Sequence, residues 1–201
     1  MNAPAEAGVV NSLYLLPAVG LEELNAEAAL QTRVDRKYVV PEAQAQQLLA
    51  TLDAEVRVLE MDGSRCFAYD SVYFDTAQLD SYLLAAHGRR RRYKVRTRTY
   101  VDSAISFLEV KTEGAREATV KERIPYGLTD RARLTAEGLD YVHETLTAAV
   151  GGFPGGPLGP VLETRYHRTT LYLPESGSRA TIDTGVTWQR PGEPAWILDG
   201  A

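Results

Sequence analysis

Residues 93–101 read Tyr-Lys-Val-Arg-Thr-Arg-Thr-Tyr-Val, a strict two-residue alternation. Only an extended strand puts Lys94, Arg96 and Arg98 in one row, because strand side chains point alternately to opposite faces. A row of three cations needs an anion. The same device recurs along the chain, with same-face sets Arg33, Asp35 and Lys37; Glu109 and Lys111; Lys121 and Arg123; and Arg179, Thr181 and Asp183. The opposite faces carry Val34, Tyr38 and Val40; Tyr93, Val95 and Val101; Leu108 and Val110; Val120 and Ile124; and Ala180 and Ile182. Strands that are apolar on one side and charged on the other build an antiparallel sheet whose apolar side is covered by helices.

The remaining elements fit that frame. Leu21–Ala29 is rich in helix formers, and Gln31–Val40 reads as a strand. Pro41 opens a helix that carries Ala45, Leu48, Leu49 and Leu52 and ends near Asp53. Ala54–Met61 and Arg65–Phe74 are strand-like and are separated by the hairpin signal Asp62-Gly63. Asp75-Thr76 caps a helix carrying Leu79, Tyr82, Leu83 and Ala86, closed by Gly88. The basic strand turns at Asp102-Ser103 and returns as Ala104–Thr112, and after Glu113-Gly114 a third strand, Ala118–Tyr126, continues the meander. Thr135–Val150 reads as a helix with Leu139, Val142, Leu146 and Val150 on one side, and the Gly- and Pro-rich residues 151–160 as a loop. Strands Leu162–Leu173 and Ser178–Trp188 follow, joined by a turn at Pro174–Gly177. Seven or eight strands with three or four helices predict an α+β protein built on an antiparallel sheet or β-barrel, with the helices packed outside.

The chain has 201 residues, which suits one substantial domain. Its 22 basic and 27 acidic residues give a net charge of −5, which argues against a general nucleic-acid binder. Basic residues instead gather in the strand segments while acidic ones gather in helices and loops, a segregation that suits a shielded anion site. No apolar run approaches the ~20 residues of a membrane span. The N-terminus lacks the pattern of a secretory signal and Cys66 is the only cysteine, so the expected setting is reducing and cytoplasmic.

For one strand, a solvated outer face is the ordinary explanation of alternating charge. Solvated faces usually mix small polar residues with cross-strand pairs of opposite charge. Here cations dominate and Arg outnumbers Lys, and the planar guanidinium fork matches phosphate oxygens. Many cations beside a few carboxylates suit a phosphate polyanion accompanied by a divalent metal. His87, His143, His167 and Cys66 have no metal-ligand spacing. No glycine-rich phosphate loop and no nucleophile elbow occur. Strand side chains must therefore do the binding.

Six motifs occur in an order that resembles a known family: Arg33-x-Asp35-x-Lys37-Tyr38, Ser71-Val-Tyr-Phe-Asp-Thr76, Lys94-x-Arg96-x-Arg98-x-Tyr100, Phe107-Leu-Glu-Val-Lys111, Tyr166-x-Arg168 and Arg179-x-Thr-x-Asp183. They resemble the VTC (vacuolar transporter chaperone) domain, the polyphosphate polymerase branch of the triphosphate tunnel metalloenzymes, related to the CYTH group. The resemblance implies an antiparallel barrel forming a tunnel, with residues 1–20 as an extension, 21–190 as the tunnel domain and 191–201 as a tail. It implies that Lys37, Arg96, Arg98, Lys111, Arg168 and Arg179 contact phosphate, with Arg96, Arg98 and Lys111 serving catalysis. Strand parity alone adds Lys94, Lys121 and Arg123. An acidic residue would hold Mn²⁺ or Mg²⁺.

The family usually has Glu at the position of Asp35. Its members also continue into a strand bearing a Glu-x-Lys pair and a Ser-Lys-Tyr-like segment, whereas this sequence stops at Ala201, so a domain lacking its last strand or strands is expected. The family's principal metal ligand lies in that further strand, which leaves Glu109, Asp183 and Asp35 as candidates. The implied reaction moves the terminal phosphoryl of ATP onto a polyphosphate chain. The same chemistry with water as acceptor would make a triphosphatase, and without turnover a module that binds polyphosphate or nucleotide. The implied partners are ATP, polyphosphate or triphosphate and a membrane protein, with no specific nucleic acid.

Overall fold

The computed structural model of the chain describes residues 13–27, 36–113, 119–152 and 156–198. They fall into two compact units. The first comprises the chain up to Ala68, Tyr166–Thr187 and the segment from Ile197; the second comprises Tyr69–Arg165 and Trp188–Trp196. The architecture is α+β, as the alternation predicts.

In the first unit, β1 (Ala18–Val19) pairs in parallel with β2 (Arg57–Leu59). β2 pairs antiparallel with β7 (Gly159–Leu173), Val58 lying opposite Leu171. β8 (Ser178–Gln189) also pairs with β7. The helices α1 (Leu21–Glu27) and α2 (Glu42–Ala50) belong here. The core consists of Leu13, Leu49, Val56, Val58 and Leu171. Pro41 caps α2, its carbonyl accepting from the backbone N–H of Gln44 and of Ala45. Of the strand expected over Gln31–Val40, residues 31–35 lie outside the described residues and 36–40 form no strand, with Tyr38 and Val39 exposed. β-branched content marks a residue as suited to a half-buried sheet, and without a neighbouring strand that preference goes unused.

The second unit carries the meander. β3 (Phe67–Asp75), β4 (Tyr93–Tyr100), β5 (Ile105–Glu113) and β6 (Thr119–Pro125) pair consecutively and antiparallel. β3's other neighbour is β7, and among the described residues β6 pairs with β5 alone, so the pairing is open rather than closed into a ring. One face of the meander is apolar. Val72, Phe74, Tyr93, Val95, Leu108 and Val110 form a core with Val142 and Leu146 of α4 (Ala136–Val150). Full burial of each aliphatic side chain contributes roughly 1.5–3 kcal/mol. Thr135 caps α4, its hydroxyl accepting from Gly138 N–H at 3.1 Å. Gly138 lets the helix approach Tyr126 and β5: a Cβ there would lie 2.7 Å from the Tyr126 hydroxyl, which is itself held by Thr135 N–H at 2.8 Å, and 3.2 Å from Leu108.

The turn from β3 into α3 (Asp80–Ala86) is fixed by Asp75. Its buried carboxylate accepts from the backbone N–H of Thr76, Ser81 and Tyr82 and from the Ser81 hydroxyl. Satisfying orphan N–H groups at a helix start is what an acidic residue does best there. The segment Ser71–Thr76 is thereby explained as a strand with its cap. α3 itself buries little: Leu79, Tyr82 and Leu83 are all exposed.

Candidate phosphate-binding face

The other face of the meander collects the charges. Residues directly opposite in antiparallel strands share a face. The register sets Lys94 opposite Lys111 and Lys111 opposite Lys121, and one step along sets Arg96 opposite Glu109 and Glu109 opposite Arg123. Arg98 lies opposite Ser71 and Phe107, and Tyr73 lies opposite Arg96. Six of the nine predicted phosphate-binding cations therefore stand on three adjacent strands, some 4.8 Å apart across strands and ~7 Å along each.

Their roles differ. Glu109 is fully buried and accepts from Arg96 Nε at 2.9 Å and Arg96 Nη2 at 2.7 Å, while its other oxygen meets Lys121 Nζ at 3.2 Å. Arg96 is 7% exposed and also donates to the Tyr73 hydroxyl at 3.1 Å. Burial opposes ionisation of Glu109, but Arg96, Arg98 and Lys121 outweigh it and hold the carboxyl below its ordinary range. Arg96 is likewise disfavoured by burial, yet Tyr73 and Glu109 raise it, so the pair stays ionised. Arg96 is thus a central brace of the face. Sequence parity could place it there but could not show its guanidinium engaged.

Lys94, Lys111 and Arg123 have no carboxylate within ion-pair distance among the described residues. Arg123 lies over the Phe107 ring at 4.2 Å, and Arg98 is 5.6 Å from the Tyr69 ring centroid. Lys111 is half-buried, and that burial, together with repulsion from Arg96 and Arg98, pulls its ammonium down from 10.5 to about 8. The field reaches Tyr73 too. Burial resists its ionisation, but Arg96, Arg98 and Lys94 hold the phenol below its usual value. Six cations stand around Glu109, the fully buried carboxylate of this face, and leave an excess of positive charge of the kind that attracts polyanions.

The other predicted residues belong to the first unit. Lys37 is exposed. Arg168 forms a two-pronged pair with Asp183, Nε to Oδ1 at 2.6 Å and Nη2 to Oδ2 at 2.7 Å, and its guanidinium lies 5.0 Å from the Tyr166 ring centroid. Arg179 donates from Nη2 to the Leu24 carbonyl at 2.6 Å and to Asn25 Oδ1 at 3.2 Å, tying β8 to α1. A contact that sequence reasoning missed is Asp70, whose Oδ2 accepts from Arg131 at 3.1 Å and Arg165 at 3.3 Å in the second unit. Only a long-range register could have revealed it.

As metal ligands the three candidates fare differently. Both oxygens of Glu109 are taken by Arg96 and Lys121, and both of Asp183 by Arg168. Asp35 lies outside the described residues. Among the described residues no three His, Cys, Asp or Glu side chains come together to hold an ion. A tightly bound divalent metal takes several open oxygen ligands, and these carboxylates as arranged do not fit that demand.

Among the described residues no helix is long and apolar enough to cross a membrane. No curated protein matches the chain. A family model described as the VTC domain matches residues 32–199. That match takes in both halves of β7, all of the meander and every candidate residue, and the chain belongs to the VTC-domain family.

Proposed function

We propose that the domain binds an extended phosphate chain along the charged face of β4, β5 and β6 and transfers the terminal phosphoryl group of ATP to a polyphosphate chain. The observation that carries the reading is the surplus of cations in register around one buried carboxylate, in a member of the VTC family. Phosphoryl transfer asks little covalent chemistry of the protein; it needs alignment of donor and acceptor and neutralisation of charge on the equatorial oxygens. Arg98 and Lys111 supply that charge, Lys94, Lys121 and Arg123 hold the flanking phosphates, and the Glu109–Arg96 pair fixes the row. The bond from the γ-phosphorus to the β–γ bridging oxygen breaks as a terminal oxygen of the chain forms its bond to that phosphorus, and ADP leaves. Mn²⁺ or Mg²⁺ would come with the nucleotide and offset charge on its phosphates. No step relies on a metal held by the protein.

The engaged state of Glu109 and Asp183 favours a second reading, in which the face binds polyphosphate or nucleotide without turnover. Incubation of the chain with ATP and Mn²⁺ separates the possibilities. Long-chain polyphosphate with ADP supports transfer, free phosphate alone means that water is the acceptor, and unchanged ATP leaves the binding module.

A further inference from the structure

The sequence directly ahead of that face is basic as well. Arg89–Arg92 precede β4, and of these Arg92 is neutralised by Glu113 at 2.6 Å. Arg89 and Arg91 have no ion-pair partner among the described residues. Their placement is fixed by backbone geometry. Gly88, at φ 61°, ends α3, with its N–H bonded to the Ala85 carbonyl and that of Arg89 reaching back to the Leu84 carbonyl. Arg92 N–H then closes a turn onto the Arg89 carbonyl.

The two arginines flank a groove of about 460 Å³ whose apolar side is Leu83, Leu84 and Val150. That volume is in the range of small-molecule sites. Tyr93 lines it as well, and although Tyr93 is only 4% exposed, its hydroxyl has no hydrogen-bond partner among the described residues. A buried hydroxyl without a partner costs free energy that a bound acceptor would recover. Burial, with Asp75 and Asp80 nearby, pushes this phenol up, so it remains a neutral donor. Asp80 adds an acceptor to the same groove, one of its oxygens already held by the Thr76 hydroxyl at 2.8 Å. Tyr93 and Lys94 are consecutive in β4, so the groove opens on the opposite side of the strand from the phosphate-binding face.

We propose that this groove is a second ligand site, selective for a nucleoside monophosphate-sized organophosphate. Its phosphate meets Arg89 and Arg91, its flat ring system lies on Leu83, Leu84 and Val150, its ribose hydroxyls donate to Asp80, and an acceptor on the ligand takes the Tyr93 hydroxyl. The two guanidiniums fit phosphate oxygens, while the apolar wall and the Asp80 carboxylate do not suit an inorganic anion. The site is independent of the phosphate-chain reading, since no residue is shared.

The test is calorimetric titration of the full chain with AMP, with inorganic phosphate and with tripolyphosphate. AMP is expected to bind more tightly than inorganic phosphate. Arg89→Ala with Arg91→Ala should weaken AMP at least about tenfold, as loss of charge-assisted bonds does, and Tyr93→Phe about fivefold. Both should leave tripolyphosphate affinity unchanged, and Lys111→Met should leave AMP affinity unchanged. The proposal is overturned if AMP does not bind, if the double variant binds it as the wild type does, if phosphate alone binds equally well, or if Lys111→Met abolishes AMP binding.

Discussion

Lys111 offers a perturbation whose sign runs against intuition, since replacing it should stabilise the protein. Its ammonium is partly buried and held among Arg96, Arg98 and Lys121, with Glu109 the one favourable neighbour, and burial first and repulsion second pull it down from 10.5 to about 8. At about 1.4 kcal/mol per pH unit that gap corresponds to a ceiling of about 3–4 kcal/mol charged against the folded state. Lys111 is only half-buried, so solvent screening reduces the recoverable part to about 1–2 kcal/mol. Lys111→Met keeps the stem and volume while removing the charge. Its thermal midpoint at pH 7 should rise by about 2–8 °C, given a few degrees per kcal/mol for a chain of this size. The sign follows from linkage. Below pH 8 lysine is charged in both folded and unfolded chains and the cost of burial and repulsion is fully present; as pH rises from 8 to 10.5 the folded protein sheds the proton first and that cost disappears. The difference between wild type and variant should therefore be largest at pH 7 and close by pH 10.5. A variant that melts below the wild type at pH 7, or a difference that ignores pH across that window, would refute the reasoning. The same substitution should weaken tripolyphosphate binding about 10- to 100-fold, as loss of a charge-assisted contact does.

Three further outcomes follow from the same structure. Arg96→Met leaves the buried Glu109 with Lys121 alone and should cost about 3–5 kcal/mol in chemical denaturation, with much of that recovered in the double variant Arg96→Met with Glu109→Met. Because the Glu109 carboxyl is held below its ordinary value of 4.5, its contribution is present above that pH and lost as pH falls through the folded value, so Glu109→Gln should flatten the acid limb of a pH-melting profile. Leu146→Ala, at a side chain with no exposure in the apolar core, should cost about 2–5 kcal/mol without changing tripolyphosphate affinity beyond the loss of folded protein.

The meander was legible because two independent signals agree there. Alternation over residues 93–101 fixes the parity of β4, the turn at Asp102-Ser103 brings the chain back as β5, and in the sequence Glu113-Gly114 signals a second reversal. The shared face of Lys94, Arg96, Arg98, Glu109, Lys111, Lys121 and Arg123 follows from that parity alone. What parity cannot supply is register. That Arg96 stands opposite Glu109, and so acts as the carboxylate's partner, depends on which residues pair across the turn. Asp70 with Arg131 and Arg165, and Arg179 with the Leu24 carbonyl, are further contacts between residues distant in sequence. β1 has two residues, too few to leave any periodic signal. Residues 36–40 show the reverse error, with β-forming side chains in a segment that forms no strand. α3 carries apolar residues at helical spacing yet leaves most of them exposed. Periodicity reports amphipathic potential, and only a neighbouring surface turns it into burial.

The most direct test of the phosphate-binding face removes only those of its cations that have no ion-pair partner among the described residues. In Lys94→Ala with Lys111→Ala and Arg123→Ala the Glu109–Arg96–Lys121 network is untouched, so the fold is expected to persist, as checked by circular dichroism and thermal melting. Calorimetric titration with tripolyphosphate should then show affinity reduced at least about a hundredfold, with a shallower salt dependence, because each charge-assisted contact is worth about 1.5–3 kcal/mol. A folded triple variant that binds tripolyphosphate as tightly as the wild type would contradict the account.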